Sequence, residues 1–399
     1  MSDTPDKTCW PDVFVFLTAG IAVALLIGKV PGALPVMRVE LGLTLFEAGL
    51  VVSVYSLIAA LGGVTTGAMA ARFGSRKIAI IGMVMAALGS LAGSYATSSV
   101  PLLATRTIEG LGFFMTAVSM PTLMIRASRF SDRQKVLGIW ASYMPAGMGI
   151  MLLTGALMVE RVGWSGVWQI VAGAIFVVGL GVAVTAKRYP ALEADKTKPV
   201  TLVEAISVLR LPGPLLLAVT FGAYGAQFLI IVAFVPLILV EQGGWSVVAA
   251  GMAGAGVIFA NIIGTIASGW ILGHRVSRAQ LVVATSLILA VCASVVLADQ
   301  LSPVLRLTAA IAFSAFGGLI PGAMFAGTPV HAPTPRHISS VNGLMLQGVA
   351  IGQLVGPTLS SYIVEKTGQW SSALFVIYPL AVLAIVAGLK IAKLEKRSS

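Results

Sequence analysis

Arg106 and Glu109 stand three residues apart inside an otherwise apolar run from Val100 to Ile125, and Lys29 stands inside another such run near the N-terminus. Residues three apart share one face of a helix, so a guanidinium and a carboxyl at this spacing can touch. A carboxyl so placed can take up and release a proton, and a guanidinium offers a planar fork to an oxyanion. A charge at bilayer depth costs about 2.5–3.5 kcal/mol on insertion scales and therefore faces a bundle interior or a watery cavity. A structural ion pair that only fixes packing is the competing reading. Gly110 and Gly112 remove side chains where a neighbouring helix can press close. Lys29 precedes Val30-Pro31-Gly32-Ala33-Leu34-Pro35, a segment expected to kink or unwind, with Lys29 facing a cavity and outward snorkelling as the alternative. Arg306 opens a later run, where cavity and membrane interface are both open to it.

Residues of this kind need a scaffold that surrounds them. The 399 residues are 57% hydrophobic and 10% charged, with a mean hydropathy of +0.96. That is the composition of an all-α membrane protein. Twelve apolar spans can be drawn, at 12–36, 46–71, 77–97, 100–125, 136–159, 165–186, 213–240, 246–272, 279–298, 302–326, 339–364 and 371–391. Of the 26 Lys and Arg residues, Lys29, Arg106 and Arg306 lie within spans, and Arg38, Arg161 and Lys366 lie in the odd-numbered loops. The other 20 fall at the two termini and in the even-numbered loops. The positive-inside rule then puts both termini in the cytoplasm of a bacterial-type inner membrane. The same placement explains the net charge of +11 without nucleic acid. The N-terminus has no basic leader, so the first span is expected to remain as an anchor. Cys9 and Cys292 give no disulfide framework.

A polar stretch with Pro190, Pro199 and Pro212 divides the chain into two six-helix bundles, 1–186 and 213–399, with a cytoplasmic linker at 187–212. Within the linker, Thr201-Leu-Val-Glu204 fits a capping box and predicts a short amphipathic helix on the membrane surface. The bundles echo each other. Pro35, Glu40, Gly49 and Gly67 recur as Pro236, Glu241, Gly251 and Gly269 at an offset of 201 or 202, and Gly147, Val159-Glu160-Arg161 and Gly163 recur as Gly352, Val364-Glu365-Lys366 and Gly368 at an offset of 205. Two repeats related by an axis along the membrane normal suit a rocking-bundle transporter with its solute site between them.

Between spans two and three, Gly67, Arg72, Gly74, Arg76 and Lys77 stand as in G-x-x-x-D-R-x-G-R-R, and Gly269 to Arg278 echoes it in the second half. With these residues the chain resembles the major facilitator superfamily over essentially its whole length. The resemblance implies a cytoplasmic gate at this loop, although Ala71 replaces the usual aspartate, so any latch would rest on the arginines. Arg106, Gly110 and Gly112 are similar to the fourth-helix pattern R-x-x-Q-G-x-G, often linked to proton coupling. Glu109 in place of the glutamine adds a titratable group and becomes the proton-coupling candidate. The exporter signature G-x-x-x-G-P is missing from Gly147 to Ala156 and appears as Gly352 to Pro357 in span eleven, which weakens a drug-antiporter reading. The end of the first span, Lys29 to Pro35, is broadly similar to the cyanate-permease-like branch.

The resemblance further implies that spans one, four, seven and ten line the cavity. They carry Lys29, Arg106, Glu109, Gln227 and Arg306, while Tyr143, Asn261, Gln347 and Gln353 lie on spans five, eight and eleven, where an interhelical hydrogen bond is the competing reading for each amide or tyrosine. Three bases against one midspan acid make a site of positive potential, suited to a small anion such as a carboxylate. The expected protein is a monomeric secondary transporter with a proton as candidate coupling ion, as in a symporter, and with no cofactor or metal; proton-antiport efflux of drugs or metabolites is the alternative. An enzyme is disfavoured, since His274, His331 and His337 lack ligand spacing, and no G-x-x-x-x-G-K-[ST] sequence serves an ATP-driven pump.

Overall fold

Every element among the described residues is helical. The computed structural model describes residues 7–63, 74–140, 142–189, 207–272, 276–334 and 337–398. Gly67, Ala71 and Arg72, the capping box at 201–204, and His274 lie outside them. Helix α1 is Trp10–Glu40. Helix α2 begins as Leu45–Ser53, passes through a 3-10 turn at Val54–Ser56 and continues to Gly63. Helices α3 and α4 are Ser75–Gly93 and Ser99–Arg126. A short helix, Arg133–Trp140, leads into Tyr143–Thr185, which Gly163 (φ 68°, ψ 171°) breaks into α5 and α6. Then come α7 (Pro212–Glu241), α8 (Val247–Leu272), α9 (Arg278–Val296), α10 in two pieces (Pro303–Gly317 and Leu319–His331), α11 (Ile338–Thr367) and α12 (Leu374–Ser398).

Ten of the described helical stretches are long and apolar enough to cross a membrane, and one of them, Tyr143–Arg188, holds two crossings on either side of Gly163. The remaining crossing is α11, whose 30 residues suffice in length but are diluted by Asn342, Gln347 and Gln353. Twelve crossings result, as the apolar runs predict.

Burial sorts these helices into layers. The most apolar stretch of α7 is 94% buried, against 44% for α9 and for α12. The outer helices instead expose Phe176 and Val177 on α6, Leu287 and Val291 on α9, and Phe375 and Val382 on α12. Side chains of this size on an outer face are an aggregation liability in water and a natural fit to lipid. Helices α1 and α7 therefore form the middle, where charged residues can be enclosed by protein.

The repeat seen in the sequence reappears in the backbone. Gly42 and Gly244 (φ 62° and 65°) follow α1 and α7, and Gly163 and Gly368 (φ 68° and 70°) end α5 and α11. Positive φ is a conformation that glycine takes without a Cβ penalty, and the two pairs keep the sequence offsets of 202 and 205. Packing repeats as well. Gly147 of α5 leaves room for the Ile21 carbonyl of α1, and its counterpart Gly352 of α11 leaves room for the Gly222 carbonyl of α7.

Helix α1 departs from expectation. It remains helical through Pro31 and Pro35 rather than unwinding there. Each proline removes one intrahelical hydrogen bond. The surrounding packing compensates: Gly28 lies against the Met148 backbone and Gly32 against Leu152, so α5 braces the segment from one side.

Candidate functional site

Three charged side chains from two helices meet in the core of the first six helices. Lys29 of α1 and Arg106 and Glu109 of α4 are each no more than 1% exposed. The Lys29 Nζ donates to Glu109 Oε1 at 2.6 Å and to Ser90 Oγ of α3 at 2.7 Å, and it lies 4.2 Å from the centre of a Trp168 ring on α6. Ser90 passes the bond on to the Trp168 carbonyl at 2.8 Å. The other Glu109 oxygen accepts from Arg106 Nη1 in an i,i+3 ion pair. Arg106 also donates from Nη1 to the Leu26 carbonyl at 2.9 Å and from Nε to the Val51 carbonyl of α2 at 3.2 Å.

One carboxylate thus serves two cations, and Arg106 Nη2 is buried without a hydrogen-bond partner among the described residues. Such a group holds an unused donor for an oxyanion. The glycines make the enclosure possible. Gly110 presses on the Tyr55 carbonyl of α2, Gly112 on the Ala86 and Gly82 backbone of α3, and Gly89 on Glu109 itself. Lys29 does not point at the boundary between the two sets of six helices. Its ammonium reaches inward, among α3, α4 and α6.

From this cluster a set of aromatic rings leads outward. The guanidinium carbon of Arg106 is 5.7 Å from the Tyr55 ring centre; Tyr55 meets Phe113 edge-on, Phe113 stacks on Tyr143, and Tyr143 stacks on Trp140 with centres 4.2 Å apart. The Tyr55 hydroxyl donates to Gln353 Oε1 of α11 at 3.0 Å, and Ser56 Oγ donates to the same oxygen at 3.3 Å. Gln347 Nε2 donates to the Ala60 carbonyl of α2 at 2.9 Å. Two of the sequence-predicted residues, Gln347 and Gln353, therefore join the halves along α2 and α11.

The other predicted residues are dispersed. Gln227 of α7 donates to the Ala223 carbonyl one turn back, and its Oε1 is buried without a hydrogen-bond partner among the described residues. Asn261 ties α8 to the Tyr224 hydroxyl of α7 (2.8 Å) and to the Ser314 carbonyl of α10 (2.9 Å). Arg306 sits in the first turn of α10, donating to the Val296 carbonyl at 2.7 Å and to Gln242 Oε1 at 2.6 Å. It is apart from the charge cluster, so the local balance there is two cations to one acid. Gly74, Arg76 and Lys77 open α3; Gly74 adopts φ 87°, which suits a glycine. Tyr55, Ser90 and Trp168 are partners that sequence reasoning did not single out.

At the end of the bundle far from the termini, the halves are fastened to each other. Arg38 pairs with Glu241, Glu365 accepts from the Phe46 backbone N–H at 2.6 Å, and the Ser53 and Thr358 hydroxyls meet at 2.7 Å. Gly49 admits Ser361, and Gly251 admits Ala156. A cavity of about 540 Å³ lined by Arg38, Glu241, Glu365 and Trp370 opens at this end.

The family model described as Major Facilitator Superfamily matches residues 14–347. The hexuronate transporter of Bacillus subtilis (strain 168) is 25% identical over 398 residues, covering 94% of this chain and 92% of that protein. The methyl viologen resistance protein SmvA of Salmonella typhimurium is 25% identical over 204 residues, covering 50% of this chain and 40% of its own. Among solved structures, a bacterial homologue of the human lysosomal transporter Spinster, in an inward-facing and occupied conformation, superposes with a TM-score of 0.75 at 16% identity, covering 97% of this chain and 96% of that one. The last likeness concerns the fold.

Proposed function

As the chain belongs to the Major Facilitator Superfamily, and is on that ground a transporter rather than an enzyme, we propose that it moves a small carboxylate-bearing solute, a sugar acid above all, together with a proton by alternating access. The observation that carries this reading is Glu109 held between Lys29 and Arg106 with Arg106 Nη2 unspent. With Glu109 ionised, the cluster carries a net charge of one. Protonating Glu109 frees Arg106 and raises that charge to two. A solute carboxylate on Arg106 restores it to one, so proton and anion each favour the binding of the other. That mutual dependence is the requirement for symport. The rings of Tyr55, Phe113 and Tyr143 beside the cluster supply an apolar surface of the kind a sugar ring uses.

The near full-length similarity to a hexuronate transporter supports the anionic solute. The excess of Lys and Arg at the two termini and in the even-numbered loops supports a cytoplasmic placement of both termini, in a bacterial inner membrane. In that orientation the Arg38–Glu241 and Glu365 contacts tie the two halves together on the outer side. A second reading, efflux of organic cations, is favoured by the similarity to a methyl viologen resistance protein over half of the chain.

Thermal unfolding of the purified protein separates the two. A ligand that binds only the folded state stabilises it by about 2.7 kcal/mol at a hundred times its dissociation constant. Glucuronate or galacturonate is expected to raise the unfolding temperature of the wild type and to lose that effect in Arg106→Gln. Stabilisation by methyl viologen alone would overturn the sugar-acid reading in favour of an organic-cation solute.

A further inference from the structure

Among the described residues, Tyr55 touches both the buried charge cluster and the opposite half of the molecule. Its ring faces the Arg106 guanidinium, its carbonyl is pressed by Gly110, one residue past Glu109, and its hydroxyl bonds Gln353 of α11. It also lies in the 3-10 turn Val54–Ser56 that interrupts α2, where the Leu57 N–H returns to the Val54 carbonyl three residues back. One turn earlier, the Val51 carbonyl accepts Arg106 Nε. Short 3-10 stretches within a longer helix mark places where the hydrogen-bond ladder shifts at low cost.

We infer that Tyr55 is a positioning residue which transmits the charge state of the Arg106–Glu109 pair to the contact between the two six-helix halves. The inference rests on the reading that Glu109 exchanges a proton. When Glu109 is neutral, Arg106 loses its counterion, and its charge falls on the Leu26 carbonyl, the Val51 carbonyl and the Tyr55 face. Two of these three lie on α2 beside the 3-10 turn. A reseated guanidinium therefore moves the α2 segment that carries the Tyr55 hydroxyl and Ser56, and both of these hold Gln353. The remaining groups around the pair are Lys29 of α1, which is charged, the uncharged Ser90 of α3 and Trp168 of α6, and Tyr143 of α5, which meets Phe113 beside Tyr55. None of these bonds the opposite half in the way Tyr55 does.

The test is a double-mutant cycle read as a distance across the far end. Spin labels on Val39→Cys and Gln369→Cys, both exposed and on opposite halves, are placed in a protein whose Cys9 and Cys292 are replaced by serine and alanine. Glu109→Gln, which mimics the protonated carboxyl, is expected to shift the distance distribution. Tyr55→Phe keeps the ring under Arg106 but removes the bond to Gln353, and in that background the shift from Glu109→Gln is expected to be lost. Gln353→Leu cuts the same contact from the other side, removes the Ser56 bond as well, and is expected to abolish the shift too. A purely structural Tyr55 would leave the Glu109→Gln shift unchanged in both backgrounds, and that result overturns the inference while leaving the proton-coupled reading intact. Absence of a shift in the background with Tyr55 and Gln353 intact would overturn both.

Discussion

Glu109→Gln and Lys29→Met make a matched pair of perturbations, because one removes the shared counterion and the other removes the surplus cation. In Glu109→Gln, Lys29 and Arg106 remain buried beside each other, each no more than 1% exposed, with a neutral amide between them. Removing one partner of a buried ion pair costs about 3–5 kcal/mol. Here a single carboxylate is lost to two cations, so the upper part of that range is expected. In Lys29→Met, Arg106 and Glu109 stay paired and neutral overall, Ser90 keeps its bond to the Trp168 carbonyl, and the thioether meets the ring that the ammonium faced. Because Glu109 keeps Arg106 as its counterion, no buried charge is left unpaired, and the cost is expected to fall well below the about 3–5 kcal/mol of a broken buried pair. Unfolding in mixed micelles, followed by tryptophan fluorescence, reads both variants, with Trp168 as a reporter beside the cluster. Equal destabilisation, or Lys29→Met the more destabilising of the two, would refute the charge accounting, since it would mean that Lys29 rather than Glu109 is the group the others depend on.

Two further outcomes follow from the same geometry. Gly110→Ala drives a methyl into the Tyr55 carbonyl, a backbone atom that cannot swing aside, and is expected to destabilise the protein by about 1–3 kcal/mol or more in the same unfolding assay. Asp299, in the connection between α9 and α10, accepts hydrogen bonds from the Trp370 and Ser371 N–H groups, the Ser371 hydroxyl and Gln242. Burial pushes its carboxyl up, but the bonds from Ser371, Gln242 and Trp370 outweigh that and hold it below its ordinary value. A depressed carboxyl contributes stability that is present above the unfolded value, near pH 4, and lost as pH falls through the folded one. Acid titration of stability below about pH 4 is therefore expected to flatten in Asp299→Asn.

The fold was legible because lipid imposes a coarse rule. A run of about 20 apolar residues reads the same in any context, so the crossings could be counted, and α11 was drawn from its length although its amides dilute it. The repeat was legible in part because Gly163 and Gly368 sit where the backbone takes positive φ, a demand that fixes residue type at matching positions; the same demand at Gly42 and Gly244 went unread. The charge cluster was half visible. Arg106 and Glu109 announced each other by spacing, and the glycines after them by the close approach they allow. Lys29 was found as a buried charge but placed toward a cavity, because one-dimensional reading counts rise along a helix and does not give its rotation. In the structure that rotation directs the ammonium to Ser90, Glu109 and Trp168. Tyr55 escaped notice for a related reason. An aromatic residue in a span is ordinary, and its role comes from what lies across α4 and α11, which no local pattern encodes.

The central claim is that a proton on Glu109 and a carboxylate on Arg106 travel together. It is tested most directly by uptake of labelled galacturonate or glucuronate into proteoliposomes under an imposed pH gradient, with wild type and Glu109→Gln compared in net uptake and in solute exchange. The account predicts that the gradient drives accumulation by the wild type, and that Glu109→Gln exchanges solute across the membrane while the gradient no longer drives net uptake. Accumulation by Glu109→Gln that still follows the gradient would contradict it.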